Sequence, residues 1–101
     1  MDDTRVAQLA RALAHPARVR IVRLLAAQSQ CAGAEIFAEL PLAQSTVSQH
    51  LAVLKEAGLV HATPHGTSML YCIAAEPLSE LTAALTELES TRPVCSGKEG
   101  S

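Results

Sequence analysis

At 101 residues the chain can bury one modest core, so a single domain is expected. Aromatics are 2% of the composition, which leaves Leu, Val, Ile and Ala to build that core; such helix-favouring chains often complete their core by dimerising. The formal net charge of −2 excludes a uniformly basic nucleic-acid binder, and no apolar run is long enough to cross a bilayer.

The start, Met1-Asp2-Asp3, is acidic and argues against a signal peptide, so a cytoplasmic protein is the expectation. Charge is unevenly spread. From Thr4 to Lys55 the basic residues are Arg5, Arg11, Arg18, Arg20, Arg23 and Lys55, against only Glu35 and Glu39. From Glu76 to Ser90 there are four acids and no base. A basic front with an acidic back element is compatible with DNA binding.

In chain order, a first helix is predicted over Arg5 to Ala14, with Val6, Leu9, Ala10 and Leu13 as its apolar stripe and Asp3 or Thr4 as its cap. His15-Pro16 breaks it, and Pro16 suits the first turn of a second helix reaching about Ala27. Val19, Val22 and Leu25 are expected inward there, with Arg18, Arg20 and Arg23 mainly outward. A short helix follows from Ala34 to Leu40 and stops at Pro41.

Gln44 to Gly58 is the most informative stretch. Val47, Leu51 and Leu54 fall on one side at helical spacing, while Ser45, Ser48 and Gln49 fall on the other around Ala52. That outer face is short, polar and uncharged, and its groups suit base edges better than simple solvation. A short helix, a tight turn and a second helix of this kind form a helix-turn-helix pattern, although Ala43 is a poor N-cap.

Leu59 to Thr63 and Thr67 to Ile73 read as strands around a Pro64-His65-Gly66 turn. In the closing helix Leu78, Leu81, Leu85 and Leu88 form a heptad-like seam suited to a partner helix. Residues 1–92 are therefore expected to be the folded unit, with 93–101 as a loose tail. The fold class is mainly α with a small β-hairpin, in the order helix, helix, helix, helix, strand, strand, helix.

Cys31, Cys72 and Cys95 are odd in number and far apart, with no CxxC pair and no disulfide framework. In a reducing compartment they are expected as free thiols, buried fillers or a site assembled by folding. Three thiolates suit a soft, three-coordinate ion such as As(III) or Sb(III). No Gly-rich phosphate loop and no supported carboxylate pair or Cys-His spacing is present, so an enzyme is not expected.

The segments Ala12-Leu13-Ala14-His15-Pro16-Ala17-Arg18, Leu42 to Val60 and Gly66 to Ile73 together resemble the ArsR/SmtB family of winged-helix repressors. The resemblance spans about residues 4 to 90. It implies a homodimer held by the first and last helices, bound to an inverted-repeat double-stranded DNA operator and released by an inducer, usually a metal ion or metalloid.

By position, the resemblance makes Gln44, Ser45, Ser48, Gln49 and His50 base-reading candidates, with Thr46 and Lys55 on phosphates. For His50 the alternative is a packed, hydrogen-bonded side chain, and for Thr46 a helix-start role. The wing carries His65, Gly66 and Thr67 where members often place Arg, so its phosphate grip is expected to be weak.

The closing helix has no His, which argues against the family's Asp/His zinc site. The stretch from Cys31 to Glu35 keeps one thiol of a Cys-x-Cys-Asp pattern, and Tyr71-Cys72-Ile73 matches a strand that some members pair with such a Cys. Cys31, Cys72 and Cys95 are therefore the candidate metal ligands. A thiol redox or persulfide response, or a protein-binding adaptor without sensing, are the alternatives.

Overall fold

The computed structural model describes residues 2–91. The expected tail from residue 93, and Cys95 with it, lie outside the described residues. Helix α1 runs Asp3–Ala12 and α2 runs Pro16–Ala26. A single 3-10 turn, Ala34–Phe37, leads to α3, Gln44–Glu56. The hairpin strands are β1, Val60–His65, and β2, Ser68–Ile73, and α4 closes the fold over Ala75–Thr91.

The helix ends follow from local chemistry. Asp2, one residue earlier than expected, caps α1: its carboxylate accepts from the Thr4 and Arg5 amides at 3.0 and 3.2 Å. His15 caps α2 through Nδ1, which accepts from the Ala17 amide at 3.0 Å, and Pro16 occupies the first turn where no amide is needed. The short helix foreseen over Ala34 to Leu40 shrinks to one turn. Its amides bond three residues back, Ala38 to Glu35 and Leu40 to Phe37, and no side chain caps its start. Ala43 likewise provides no side-chain cap for α3.

The hairpin turns at Gly66-Thr67, one residue later than predicted, because His65 pairs with Ser68. Gly66 adopts φ +65° and Thr67 does not share that sign, as a two-residue turn with Gly first requires. Pro64 stays in β1 without losing a ladder bond. The Ala74 amide donates to the Leu59 carbonyl at 2.9 Å, so hydrogen-bonded pairs fall at Leu59, His61, Thr63 and His65, and Pro64 opposite Met69 falls between them.

Leu9, Ile21, Leu54 and Leu59 are fully buried and join all the layers into one core, with Val47, Leu51 and Phe37 beside them. Ile21 takes the central place on α2 that Val19 was expected to share; Val19 is exposed. The α4 seam also divides. Leu81 is buried and Leu78 packs against the same core, whereas Leu85 and Leu88 are 54% and 52% exposed. Helix α1 packs along α4.

Candidate nucleic-acid interface and cysteine pair

Val47, Leu51 and Leu54 root α3 in the core, and this fixes which residues face out. Gln44, Ser45, Ser48, Gln49 and Ala52 are exposed together, as the periodicity predicts, and Lys55 is exposed in the last turn. Thr46 and His50 are half-buried, to the side of that face. His65 and Thr67 are exposed at the hairpin tip, beside the bend rather than deep in a strand. The result is a helix with a polar outer surface, flanked by a hairpin whose tip carries His65 but no Arg or Lys.

The base of α3 is held by two arginines. Arg5 donates from Nη1 to the Ala57 carbonyl at 3.0 Å, at the end of α3, and from Nε to Glu80 on α4 at 3.0 Å. Gly58 then takes φ +86° and turns the chain into β1. Arg18 turns inward, against its expected outward placement. Its Nε donates to the Ala12 carbonyl at 2.7 Å, which has no backbone donor, and Nη2 to the Arg11 carbonyl at 3.4 Å, which the Ala14 amide also bonds.

Its remaining nitrogen, Nη1, lies 3.3 Å from His50 Nδ1. The His15 and His50 rings meet with centroids 4.4 Å apart and planes tilted by 51°. Burial, and then the neighbouring His15 and Arg18, push the His50 pKa below its usual value. His50 is thus packed against His15 and within hydrogen-bonding distance of Arg18. Neither arginine's inward role is visible in periodicity alone; the one available signal for Arg18 was its place in the first turn after a helix-breaking His-Pro.

Cys31 and Cys72 come together, although 41 positions separate them. Ala32 adds one residue of strand to the free edge of β2: its amide donates to the Tyr71 carbonyl at 3.0 Å, and the Tyr71 amide returns a bond at 2.7 Å. The next pair outward is Cys31 opposite Cys72, a non-hydrogen-bonded position where cross-strand side chains approach most closely. Their Cα atoms are 4.6 Å apart and their sulfurs are bonded as a disulfide.

Of the three expectations for these two residues, free thiols, buried fillers or a site assembled by folding, the structure brings them together as cross-strand neighbours with bonded sulfurs in place of free thiols. Cys31 is exposed and Cys72 half-buried, at the rim of a hollow of about 390 Å³ bounded by the end of α2. Among the described residues no third His, Cys, Asp or Glu joins them in a ligand cluster.

This arrangement defines a winged helix-turn-helix DNA-binding protein. The family description "Bacterial regulatory protein, arsR family" matches residues 15–62. The HTH-type transcriptional regulator Rv0081 of Mycobacterium tuberculosis is 42% identical over 77 residues, covering 76% of this chain and 68% of its own length. The chain belongs to the ArsR family, and is a DNA-binding transcriptional repressor rather than an enzyme.

The regulator CmtR of the same organism is 36% identical over 97 residues, 92% of this chain and 81% of the relative. Among solved structures, the homodimeric winged helix-turn-helix domain of Mb0332 from Mycobacterium bovis superposes with a TM-score of 0.67 at 33% identity, covering 86% of this chain and 80% of that one. No helix among the described residues is long and apolar enough to cross a membrane.

Proposed function

We propose that the protein acts in the cytoplasm as a homodimer assembled through α1 and α4, binds an inverted-repeat operator through paired α3 helices, and is released when an inducer engages Cys31 and Cys72. The observation that carries the inducer site is the cysteine pair itself, which joins the end of α2 to the wing across the whole helix-turn-helix. The dimer is supported by Leu85 and Leu88, left uncovered on α4, and by the homodimeric state of the Mb0332 domain.

Gln44, Ser45, Ser48 and Gln49 read bases in this arrangement, with Thr46, Lys55, His65 and Thr67 on the backbone. The preferred inducer is a soft metalloid. Arsenite, As(OH)3, condenses with three thiols to give As(SR)3 and three waters, and here the thiols are those of reduced Cys31 and Cys72 together with Cys95 from the tail of either protomer. The bonded sulfurs favour a second reading, a redox response in which two thiols lose two electrons and two protons to an oxidant and form the disulfide.

One titration separates the two. Operator-bound, prereduced protein is treated with arsenite, antimonite, zinc or the thiol oxidant diamide, using wild type and the Cys31→Ser, Cys72→Ser and Cys95→Ser variants. Release by arsenite that each substitution weakens supports the metalloid site. Release by diamide that survives Cys95→Ser but not the other two supports the redox reading. Release that persists in all three variants removes the thiols from the mechanism. If the wild type shows no salt-dependent binding to its own upstream DNA, the repressor reading itself fails.

A further inference from the structure

We infer that Arg18 is a positioning residue for the recognition helix, which it aligns through His50, and that it does not bind phosphate. The starting point is donor arithmetic. A guanidinium can only donate, and three of its five N–H groups, one on each nitrogen, are directed to groups of the same chain: Ala12 O, Arg11 O and His50 Nδ1. Two of these are terminal carbonyls of α1, and the third is a side chain of α3. Arg18, itself on the first turn of α2, therefore touches three helices and is half-buried among them.

The contact dictates the state of His50. Since Arg18 Nη1 donates, His50 Nδ1 must accept, which leaves a neutral imidazole carrying its proton on Nε2. His15 is constrained the same way, because its Nδ1 accepts from the Ala17 amide. The two rings, 4.4 Å apart, close the gap between the α1–α2 junction and α3. His50 lies one position from Gln49 and two from Ser48, so rotation or translation of α3 at this contact moves the base-reading face directly.

A consequence for electrostatics follows. Of the six basic residues from Thr4 to Lys55, Arg5 and Arg18 are half-buried in contacts within the chain, and Arg11, Arg20, Arg23 and Lys55 remain exposed. Removing Arg18 should leave the counterion term unchanged and damage selectivity. A phosphate contact gives the opposite pattern, because each one adds about 0.9 to the slope of log K against log salt, with little dependence on sequence.

The inference rests on operator binding as proposed above, so the test has one arm without DNA. In the free full-length wild type, ¹⁵N NMR of the histidines should show His50 protonated on Nε2 and bare on Nδ1 at neutral pH. The Nδ1–H tautomer would overturn the inference, whatever the protein does with DNA.

In the second arm, operator and non-specific DNA affinities are measured against salt for wild type, Arg18→Lys and Arg18→Gln. Both variants should lose about tenfold to a hundredfold in operator affinity, the scale of one charge-assisted hydrogen bond, with unchanged salt slope and unchanged non-specific binding. Lys keeps the charge but not the planar fork, so it should not rescue. Rescue by Lys, or a slope reduced in Arg18→Gln, would show a phosphate contact instead. If those variants do not fold, His50→Ala, which leaves both α1 caps in place, should show the same loss of selectivity at constant slope; no loss overturns the inference.

Discussion

Reduction of the Cys31–Cys72 bond gives the sharpest stability prediction. The bond spans 41 positions, and the enclosed segment holds the 3-10 turn, α3, β1 and most of β2. Closing a loop of that size removes about 4 kcal/mol of chain entropy from the unfolded state at 25 °C. Small domains have only about 5–15 kcal/mol in hand, so the reduced protein should keep its fold with much of the margin gone. The mutual Ala32–Tyr71 hydrogen bonds remain after reduction and should hold the two segments in register.

Thermal unfolding followed by circular dichroism, with and without reductant, measures the effect. Tm should fall by roughly 15–30 °C on reduction for a domain of this size. Cys31→Ser should start near the reduced value and show no further response to reductant. A reductant-induced shift in wild type below about 1 kcal/mol would refute the reasoning, since the loop-closure term would then be absent.

Leu85→Glu or Leu88→Glu should convert dimers to monomers in sedimentation velocity with little change in monomer stability, because both side chains stand outside the monomer core; an unchanged sedimentation coefficient would place the interface elsewhere. Arg5→Ala should destabilise by about 1.5–3 kcal/mol through the lost bond to the Ala57 carbonyl, whereas Glu80→Ala should cost about 0–1 kcal/mol since that carboxylate is exposed. Equal urea midpoints for the two variants would contradict this ordering.

The fourth prediction concerns pH. The depressed pKa of His50 means that the unfolded chain binds this proton more readily than the folded one. Its neutral form therefore supports stability fully above its ordinary pKa near 6.5, and that support is lost as pH falls from there through the lower folded value. The groups that face the ring are His15 and Arg18, both of which disfavour added charge. Urea midpoints between about pH 8 and pH 5 should fall on acidification in wild type and fall less in His50→Gln; parallel curves would remove His50 from the pH response.

The elements most readable in the sequence were those with strong periodicity or strong punctuation. Val47, Leu51 and Leu54 fixed α3 and, by exclusion, its outer face; Pro16 placed the start of α2; Gly66 placed the wing tip to within a residue. The segment from Ala34 to Leu40 was harder, because its apolar spacing suits a helix but the run is too short to sustain one without a cap. The Leu seam of α4 was read as one surface, although Leu81 serves the monomer and Leu85 does not.

Long-range pairing was the least legible layer. The family resemblance pairs Cys31 with the Tyr71-Cys72-Ile73 strand, but periodicity does not: the two become neighbours because Ala32 adds to the β2 edge, and a single bridging residue leaves no periodic trace. In the sequence Arg18 is indistinguishable from any outward cation on a helix, and only the three-dimensional course of α1 brings the Ala12 carbonyl within its reach.

Arg5 gives the molecule a mechanical property of its own. One guanidinium grips α4 through Glu80 and the last turn of α3 through Ala57, from a base on α1. It works as a shared bearing between the helices assigned to self-association and the helix assigned to reading. If α1 and α4 hold a second copy as proposed, a shift of α4 against α1 would reach α3 through this contact without passing through the wing. By thermodynamic reciprocity, an operator that prefers one setting of that bearing would then tighten the proposed dimer by the same factor by which the dimer tightens the operator.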